Sequence, residues 1–503
     1  MLSSSFPYSY LRSWGRTSIL AVGIAIALLA RPVARAAETP PFAPEDFLGR
    51  WWGDVHHNAD RRAIGFEFSR AENRTIRVRL WLPELNAYGA SIGTLRIDGA
   101  TVSIPEWGIP LVLRSGEISG CLSQPDLLFA VRPTSTLAEE PAIPALPSGP
   151  PAFWTLATGP LCATPATVGD SVIVGDTTGV VQAVGVHDGS IRWTHQVGGP
   201  VYGPIAVDGS ALFVADDSGH VSRLNAETGR EIWCRLIGPR EAKHAIPDHF
   251  GDMEWDFAGP EPVVEDGVVY VASADHQLHA LDANTGAERW QFTAGERIRG
   301  GVALVGDKVV FGSRDNFVYA LGRTEGKLRW KFDTRSPVNS TPVFDEGRIF
   351  IGTRDQALLY SLAADTGTPV WSSYYWLSWV ESTPALVDGM LYIGSSDLRR
   401  VSAFDPATGV ARWATQVWGW SWGTPLVVND TVYFGTAGAP EYFVRQQASL
   451  GALDRKTGAL RWRIALPQPP KDYLHGVAAS LVACQGKLIA AGVDGWLAAY
   501  PLQ

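Results

Sequence analysis

A glycine followed four residues later by a tryptophan recurs along this chain. The copies are Gly189/Trp193, Gly229/Trp233, Gly286/Trp290, Gly326/Trp330, Gly367/Trp371, Gly409/Trp413 and Gly458/Trp462. Around each, a short apolar run leads through a polar turn to a second run, then to the glycine. Val269-Tyr270-Val271-Ala272-Ser273 followed by Leu281-Asp282-Ala283-Asn284-Thr285-Gly286 is the most complete example. A period of about 40 residues is the length of one four-stranded propeller blade. Longer steps, from Trp233 to Trp290 and from Trp413 to Trp462, read as loop insertions.

An eighth copy is split between the two ends of the repeat. Lys487 to Tyr500 carries the middle strands of a blade but stops before the Gly and Trp, and Phe153-Trp154 supplies the missing outer strand. Joining first strand to last closes the ring and hides the edges that a linear array of sheets would expose. The expected fold class is therefore all-β, an eight-bladed propeller over 153–503.

Ahead of the repeat, residues 45–132 alternate like a small β-barrel or sandwich of six or so strands: Ile64/Phe66/Phe68, Ile76/Val78/Leu80 and Leu111/Leu113 fall on one face of each run. Asp98-Gly99 and Ser115-Gly116 supply turns. Residues 133–152 hold six prolines among small residues, the composition of an extended linker. Residues 1–36 read as a secretory signal peptide. Arg12 and Arg16 precede an apolar stretch, Ser18 to Ala30, that is shorter than a membrane span, and Ala34-Arg35-Ala36 offers a cleavage site. The expected location is periplasmic or secreted, with no membrane span after cleavage.

Those first 36 residues carry four arginines and no acid, so their removal takes the formal charge from −9 to −13. An acid excess of that size repels phosphates and argues against a nucleic-acid partner. Cys121, Cys162, Cys234 and Cys484 leave the disulfide pairing open, and no CxxCH or zinc spacing occurs.

The strand-turn pattern of Leu281 to Trp290 resembles the PQQ-type (quinoprotein) repeat, and the resemblance runs from about Trp154 to Leu502. It implies that Trp154, Trp193, Trp233, Trp290, Trp330, Trp371, Trp413 and Trp462 are structural, each docking its blade on the next. It implies two classes of function. One is that of the outer-membrane assembly propeller lipoprotein, which binds partners and holds no quinone. The other is that of the PQQ-dependent alcohol and sugar dehydrogenases. Glu254-Trp255-Asp256-Phe257 is similar to a segment of those enzymes, and carried over residue by residue the general base would be Asp256, working with PQQ and Ca²⁺. The adjacent cysteine pair found in many of them is absent, as is a haem domain. Near the N-terminus, Gly49-Arg50-Trp51-Trp52-Gly53 and Gly116-Glu117-Ile118-Ser119-Gly120 resemble a small β-domain of bacterial exported proteins.

Function in a propeller usually sits at the central channel. Counting back from the Thr-Pro pairs that open the inner strands (Thr164-Pro165, Thr341-Pro342, Thr383-Pro384, Thr424-Pro425, with Gly203-Pro204 as a variant) selects Cys162, Val201, Gly259, Arg299, Asn339, Glu381, Trp422 and Ala478. Arg299, Asn339, Glu381 and Trp422 form a polar arc suited to a small polar ligand, and Asn339 and Glu381 have the oxygen donors that Ca²⁺ prefers. Tyr374-Tyr375-Trp376, Trp379, Trp418 and Trp420 read as rim aromatics suited to a sugar or to a protein partner. Two readings stand at this stage: an envelope scaffold that binds a protein or ligand, and a quinone dehydrogenase.

Overall fold

A computed structural model describes residues 42–71, 75–122, 126–145, 147–238, 259, 261–273, 275–439, 446–468 and 474–502. The chain divides into two compact units, one built mainly from residues up to Ile143 and one from Pro144 onward. The signal segment and Asp256 lie outside the described residues.

The first unit is a single antiparallel sheet of nine strands: Gly49–His57, Asp60–Arg70, Ile76–Leu82, Ala87–Thr94, Arg96–Asp98, Thr101–Ile104, Ile109–Arg114, Glu117–Cys121 and Leu128–Thr134 (β1 to β9). The order β4-β3-β2-β1-β9-β8-β7-β6-β5 curls until its ends meet. Both the backbone N–H and the hydroxyl of Thr94 donate to Glu106 Oε1, at 3.1 and 2.9 Å, which ties the end of β4 to the turn after β6. Alternation puts Ile64, Phe66, Phe68, Val78, Leu80, Phe129 and Val131 inside. Two glycines of the N-terminal motifs are explained by crowding. A Cβ on Gly53 would sit 2.0 Å from the carbonyl oxygen of Ala130, and one on Gly120 would sit 2.3 Å from that of Pro110.

The second unit is an eight-bladed propeller with four antiparallel strands per blade, blade seven carrying a short fifth strand, His475–Gly476, paired with its second strand. The inner strands begin at Ala166, Ala206, Val263, Ala303, Val343, Ala385, Leu426 and Val482 for blades one to eight. Blade eight is completed by Trp154–Ala157, which pairs antiparallel with Trp496–Pro501, so the two ends of the repeat share one sheet. The seam is also tied at the inner strand, where the backbone N–H of Ser480 donates to Thr164 Oγ1 at 3.1 Å.

Each blade tryptophan is fixed by the blade that follows. The indole N–H of Trp154, Trp193, Trp233, Trp290, Trp330, Trp371 and Trp413 donates to the backbone carbonyl of Val186, Ala226, Ala283, Arg323, Ala364, Pro406 and Arg455, at 2.8–3.2 Å. The next blade's turn glycine lies flat on the ring. A Cβ on Gly229 would sit 2.4 Å from Trp193, and one on Gly367 2.4 Å from Trp330. Those glycines also hold φ of +69° and +71°, in the left-handed region. The Gly-to-Trp repeat is thus two halves of neighbouring contacts: the glycine accommodates the previous blade's ring, and the tryptophan reaches for the next glycine.

Blade eight has no such turn to offer Trp462. Gly149 takes the place. A Cβ there would sit 2.5 Å from both Trp462 Cε3 and Ile464 Cγ1. Beside it Ser148 forms a parallel bridge to Arg463, whose N–H donates to the Pro147 carbonyl at 3.0 Å. A piece of the proline-rich stretch therefore lies along the outer edge of blade seven and completes the ring of glycine-on-indole contacts.

Candidate functional site at the channel mouth

Two positions before each inner strand govern the channel mouth. Five residues ahead of the strand, the N–H bonds to a carbonyl of the preceding blade: Leu161 to Gly492, Val201 to Asp176, Val338 to Ser313, Val380 to Thr353, Ser421 to Ser395 and Val477 to Thr436, all at 3.0–3.1 Å. Their side chains occupy the space over glycines such as Gly175, Gly312 and Gly352, where any Cβ would meet them at 2.2–2.7 Å. The next residue belongs to the channel ring. This register corrects one expected position. Val201 is 0% exposed and is the equivalent of Val338, so blade two contributes Tyr202. Gly203-Pro204 precedes its strand by one residue more than the Thr-Pro pairs do, and counting from the proline misplaces it. The other seven positions, Cys162, Gly259, Arg299, Asn339, Glu381, Trp422 and Ala478, keep the common register.

Two of the four polar arc residues meet directly. Asn339 Nδ2 donates to Glu381 Oε1 at 2.7 Å. Arg354, which sequence reasoning missed, places Nη1 3.4 Å from the same oxygen and stacks its guanidinium 3.8 Å from the centre of the Trp379 ring. Next to it, Asp355 has its carboxyl pushed up to about 6 by burial, with Arg354 and Arg314 opposing the shift and Glu381 adding to it. The signal for these residues was present in Ser313-Arg314-Asp315 and Thr353-Arg354-Asp355, a recurrent tripeptide after the second strand of blades four and five. Deeper in the wall, Thr341 donates to Glu261 Oε2 at 2.7 Å and accepts from the Gly301 N–H at 2.8 Å, which links blades three, four and five. Burial raises the Glu261 carboxyl, against both of these hydrogen bonds.

The rim aromatics need a correction. Trp376, Trp379 and Trp420 are 5%, 6% and 2% exposed, so they are interior rings and not a docking surface. Trp420 donates from Nε1 to Asp397 at 2.9 Å and carries Trp422 stacked on its face, with centroids 4.8 Å apart and planes 13° from parallel. Trp418 is half-buried, with the Arg463 guanidinium 4.8 Å over its ring. Loop position alone suggested exposure, but these entering loops fold into the channel wall, where large flat rings fill the wedge between blades.

Residues 148–248, 251–299, 274–378 and 318–503 match the family described as outer membrane protein assembly factor BamB. The chain belongs to this family. Among curated relatives, the BamB of Yersinia pestis is 30% identical over 149 residues, 28% of this chain and 36% of that protein. The chain thus matches about a third of the length of such relatives. Among solved structures, BamB from Moraxella catarrhalis is similar over 70% of this chain and 99% of its own, with a TM-score of 0.53 and 18% identity. The quinohemoprotein alcohol dehydrogenase of Comamonas testosteroni covers 70% of this chain and 76% of its own, with a TM-score of 0.51 and 14% identity. At those identities the likeness is one of fold.

Within this BamB-type ring, the residues nominated for calcium and quinone are otherwise engaged. Glu381 Oε1 already faces a guanidinium and an amide N–H, and Asn339 presents its donor, not its oxygen, to Glu381. A dication at that carboxylate would compete with Arg354. Among the described residues no group of three or more His, Cys, Asp or Glu converges to hold a metal ion. The described mouth does not fit a calcium–quinone pair. All four cysteines are free thiols, and burial pushes that of Cys162 up to about 12.

Proposed function

We propose that this protein is an exported propeller that works as a binding scaffold for protein assembly at the outer membrane, facing the periplasm. The observation that carries the reading is the family match, which runs through the whole ring from residue 148 to 503 with a gap of only 249–250. Arg12 and Arg16, the apolar stretch of Ser18 to Ala30 and the Ala34-Arg35-Ala36 site support export. A ring closed by a shared sheet is a rigid platform, and rigidity limits the ordering cost of binding.

Trp418 is the aromatic of the rim group best placed to meet a partner, being half-buried and backed by Arg463. The test is genetic and biochemical. Deleting the gene should lower the β-barrel protein content of the outer-membrane fraction. The wild-type gene should restore it, and Trp418→Ala should restore it only in part. Unchanged barrel content in the deletion strain would refute the scaffold reading, and full rescue by Trp418→Ala would remove that contact.

A further inference from the structure

We propose that Arg463 and Trp418 of blade seven form a receptor for a carboxylate on an acidic segment of the protein partner. The inference rests on the scaffold reading for the bearer of that carboxylate, though not for the site itself. Arg463 stands on the tryptophan strand of the blade, Leu460–Ala465, and Trp418 in the loop that enters it. The two side chains touch, with the guanidinium 4.8 Å from the centre of the indole ring. Gln447 ties them together. Its backbone N–H donates to the Trp418 carbonyl at 2.7 Å, and its side-chain Oε1 accepts from Arg463 Nη2 at 2.7 Å.

What this cluster lacks is a negative charge. Arg463 is half-buried, and among the described residues its guanidinium bonds to the Gln447 amide and to no carboxylate. Nη1 is buried without any acceptor. Burial alone acts on its pKa, downward, with no acid opposing it. An arginine keeps its proton at any ordinary pH, so a full charge is held in a partly dry place without a counter-charge. The more exposed Arg289, Arg412 and Arg461 each have a carboxylate within 2.8 Å. The chain thus pairs arginines where pairing gains little and leaves one bare where it gains more. A ligand that completes the site brings an anionic acceptor.

The surroundings select its form. One guanidinium suits one carboxylate, whereas a phosphate dianion calls for a second cation, and neither Trp418 nor Gln447 contacts one besides Arg463. Trp418 is half-buried and holds φ of +60°, a left-handed backbone that a bulky residue adopts only at a cost. An inorganic anion gains nothing from that ring. An acidic side chain with an apolar neighbour on the same peptide gains from both groups. Gln447 and the indole fix the guanidinium, which lowers the ordering cost of binding.

The experiment uses the purified full-length protein and short, labelled Gly/Ser peptides with blocked ends and a central Leu-Glu-Leu, Leu-Gln-Leu or Leu-Lys-Leu, followed by fluorescence anisotropy. The Glu peptide should bind with Kd on the order of 1 mM or tighter, the Gln peptide about fivefold more weakly or worse, and the Lys peptide more weakly still. Raising salt from about 50 to about 500 mM should weaken the Glu peptide alone. Arg463→Gln should weaken it about tenfold, Arg463→Lys less, and Trp418→Ala about threefold, whereas the exposed Val410→Thr should change nothing. Glu441→Gln, outside the described residues, should also change nothing; tighter binding by that variant would mean that the chain supplies its own carboxylate and would overturn the proposal. Acetate should compete with the Glu peptide, and inorganic phosphate should compete no better. Thermal midpoints establish folding, and if Arg463→Gln does not fold, the Glu–Gln peptide difference and its salt dependence decide. The proposal also falls if the Gln or Lys peptide binds as tightly as the Glu peptide, if phosphate outcompetes acetate, or if folded Arg463→Gln binds as the wild type does. Should gene deletion lower barrel content while the Glu and Gln peptides bind alike, this inference alone fails. Should the Glu peptide bind selectively while deletion leaves barrel content unchanged, the carboxylate site stands and the scaffold reading fails.

Discussion

Replacing Gly149 with valine should loosen the propeller although Gly149 stands outside every blade. A Cβ at this position would lie 2.5 Å from Trp462 Cε3 and 2.5 Å from Ile464 Cγ1. Ordinary carbon contacts begin at about 3.5 Å, so the segment or the ring has to move by roughly 1 Å. Trp462 is 6% exposed and closely packed, so the movement falls on the segment. Overpacking of that kind costs about 1–3 kcal/mol. Losing the hydrogen bond from Arg463 N–H to Pro147 O, 3.0 Å long, adds about 0.5–1.5 kcal/mol. An unfolding entropy of about 2.1 cal/mol/K per residue over roughly 350 residues converts the total of about 1.5–4.5 kcal/mol into a midpoint about 2–6 °C lower. The assay is calorimetric melting of the wild type, Gly149→Val and two reference variants. Gly367→Val places the same side chain against Trp330 inside the ring and should lose at least as much. Gly169→Ala, with φ of +58° and open space around its Cβ, should lose only the backbone strain, about 1 kcal/mol. A Gly149→Val midpoint within about 1 °C of wild type would show that the segment carries no ring contact, and the account of Trp462 would fail.

Three further outcomes are expected. Asp355→Asn should raise the melting midpoint at pH 7–8 and leave it unchanged near pH 4. The native carboxyl binds its proton up to about 6 whereas an ordinary one releases it near 3.8, so stability falls as pH rises through that window, by up to about 3 kcal/mol; an equal midpoint at pH 8 refutes it. His279 is 2% exposed; burial opposes its charge, but hydrogen bonds to Asp275 and Glu288 outweigh that and raise its pKa. Its charged form therefore stabilises fully below the ordinary pKa of histidine and is lost as pH rises through the higher folded value, so the deficit of His279→Gln against wild type should shrink on going from pH 5.5 to 9, and a constant deficit would contradict the ion-pair role. Trp330→Ala removes a ring that is 9% exposed and a 3.0 Å bond to the Ala364 carbonyl, and it should cost about 3–5 kcal/mol in urea unfolding, with a loss below about 1 kcal/mol excluding a docking role.

The blades were legible because one contact is written in the same letters seven times. Gly and Trp each have a property no other residue shares at that spot: a left-handed backbone without a side chain, and a wide ring with a single N–H. Their spacing survives insertion, since the loops lengthen elsewhere. The β-domain was legible in kind but not in strand number. Arg96–Asp98 and Thr101–Ile104 are too short to show a period of two, and a nine-stranded sheet was read as about six. The Thr-Pro pairs stand at a constant distance from the inner strands, whereas at Gly203-Pro204 the proline shifts by one and Tyr202 takes the register position that had been given to Val201. Arg354 was passed over, despite its recurrent tripeptide, because it reaches the mouth from the turn after the second strand and not from the segment that was counted. The burial of Trp376, Trp379 and Trp420 was equally hidden: an aromatic-rich loop looks the same in sequence whether it faces solvent or folds back between blades.

The two ends of the propeller divide the work. The hairpin between the first two strands and the turn before the tryptophan strand share one end of each blade, as the bonds from Val186 N–H to Asp170 O and from Ala283 N–H to Gly267 O show. On that end the turn carboxylates Asp282, Asp405 and Asp454 are clipped by Arg289, Arg412 and Arg461 seven residues on, and these residues form the repeat. The opposite end is tied by bonds from Asp217 N–H to Pro200 O and from Arg314 N–H to Arg297 O, and it holds the entering loops with Asn339, Arg354, Glu381 and Trp422. Residues at the first end recur because each blade must solve the same packing problem. Residues at the second end differ from blade to blade, as Cys162, Tyr202, Arg299, Asn339, Glu381 and Trp422 do. A repeat reading therefore identifies the fold from one end of the molecule, whereas function has to be sought where the repeat lapses, in the arc from Arg299 to Trp422.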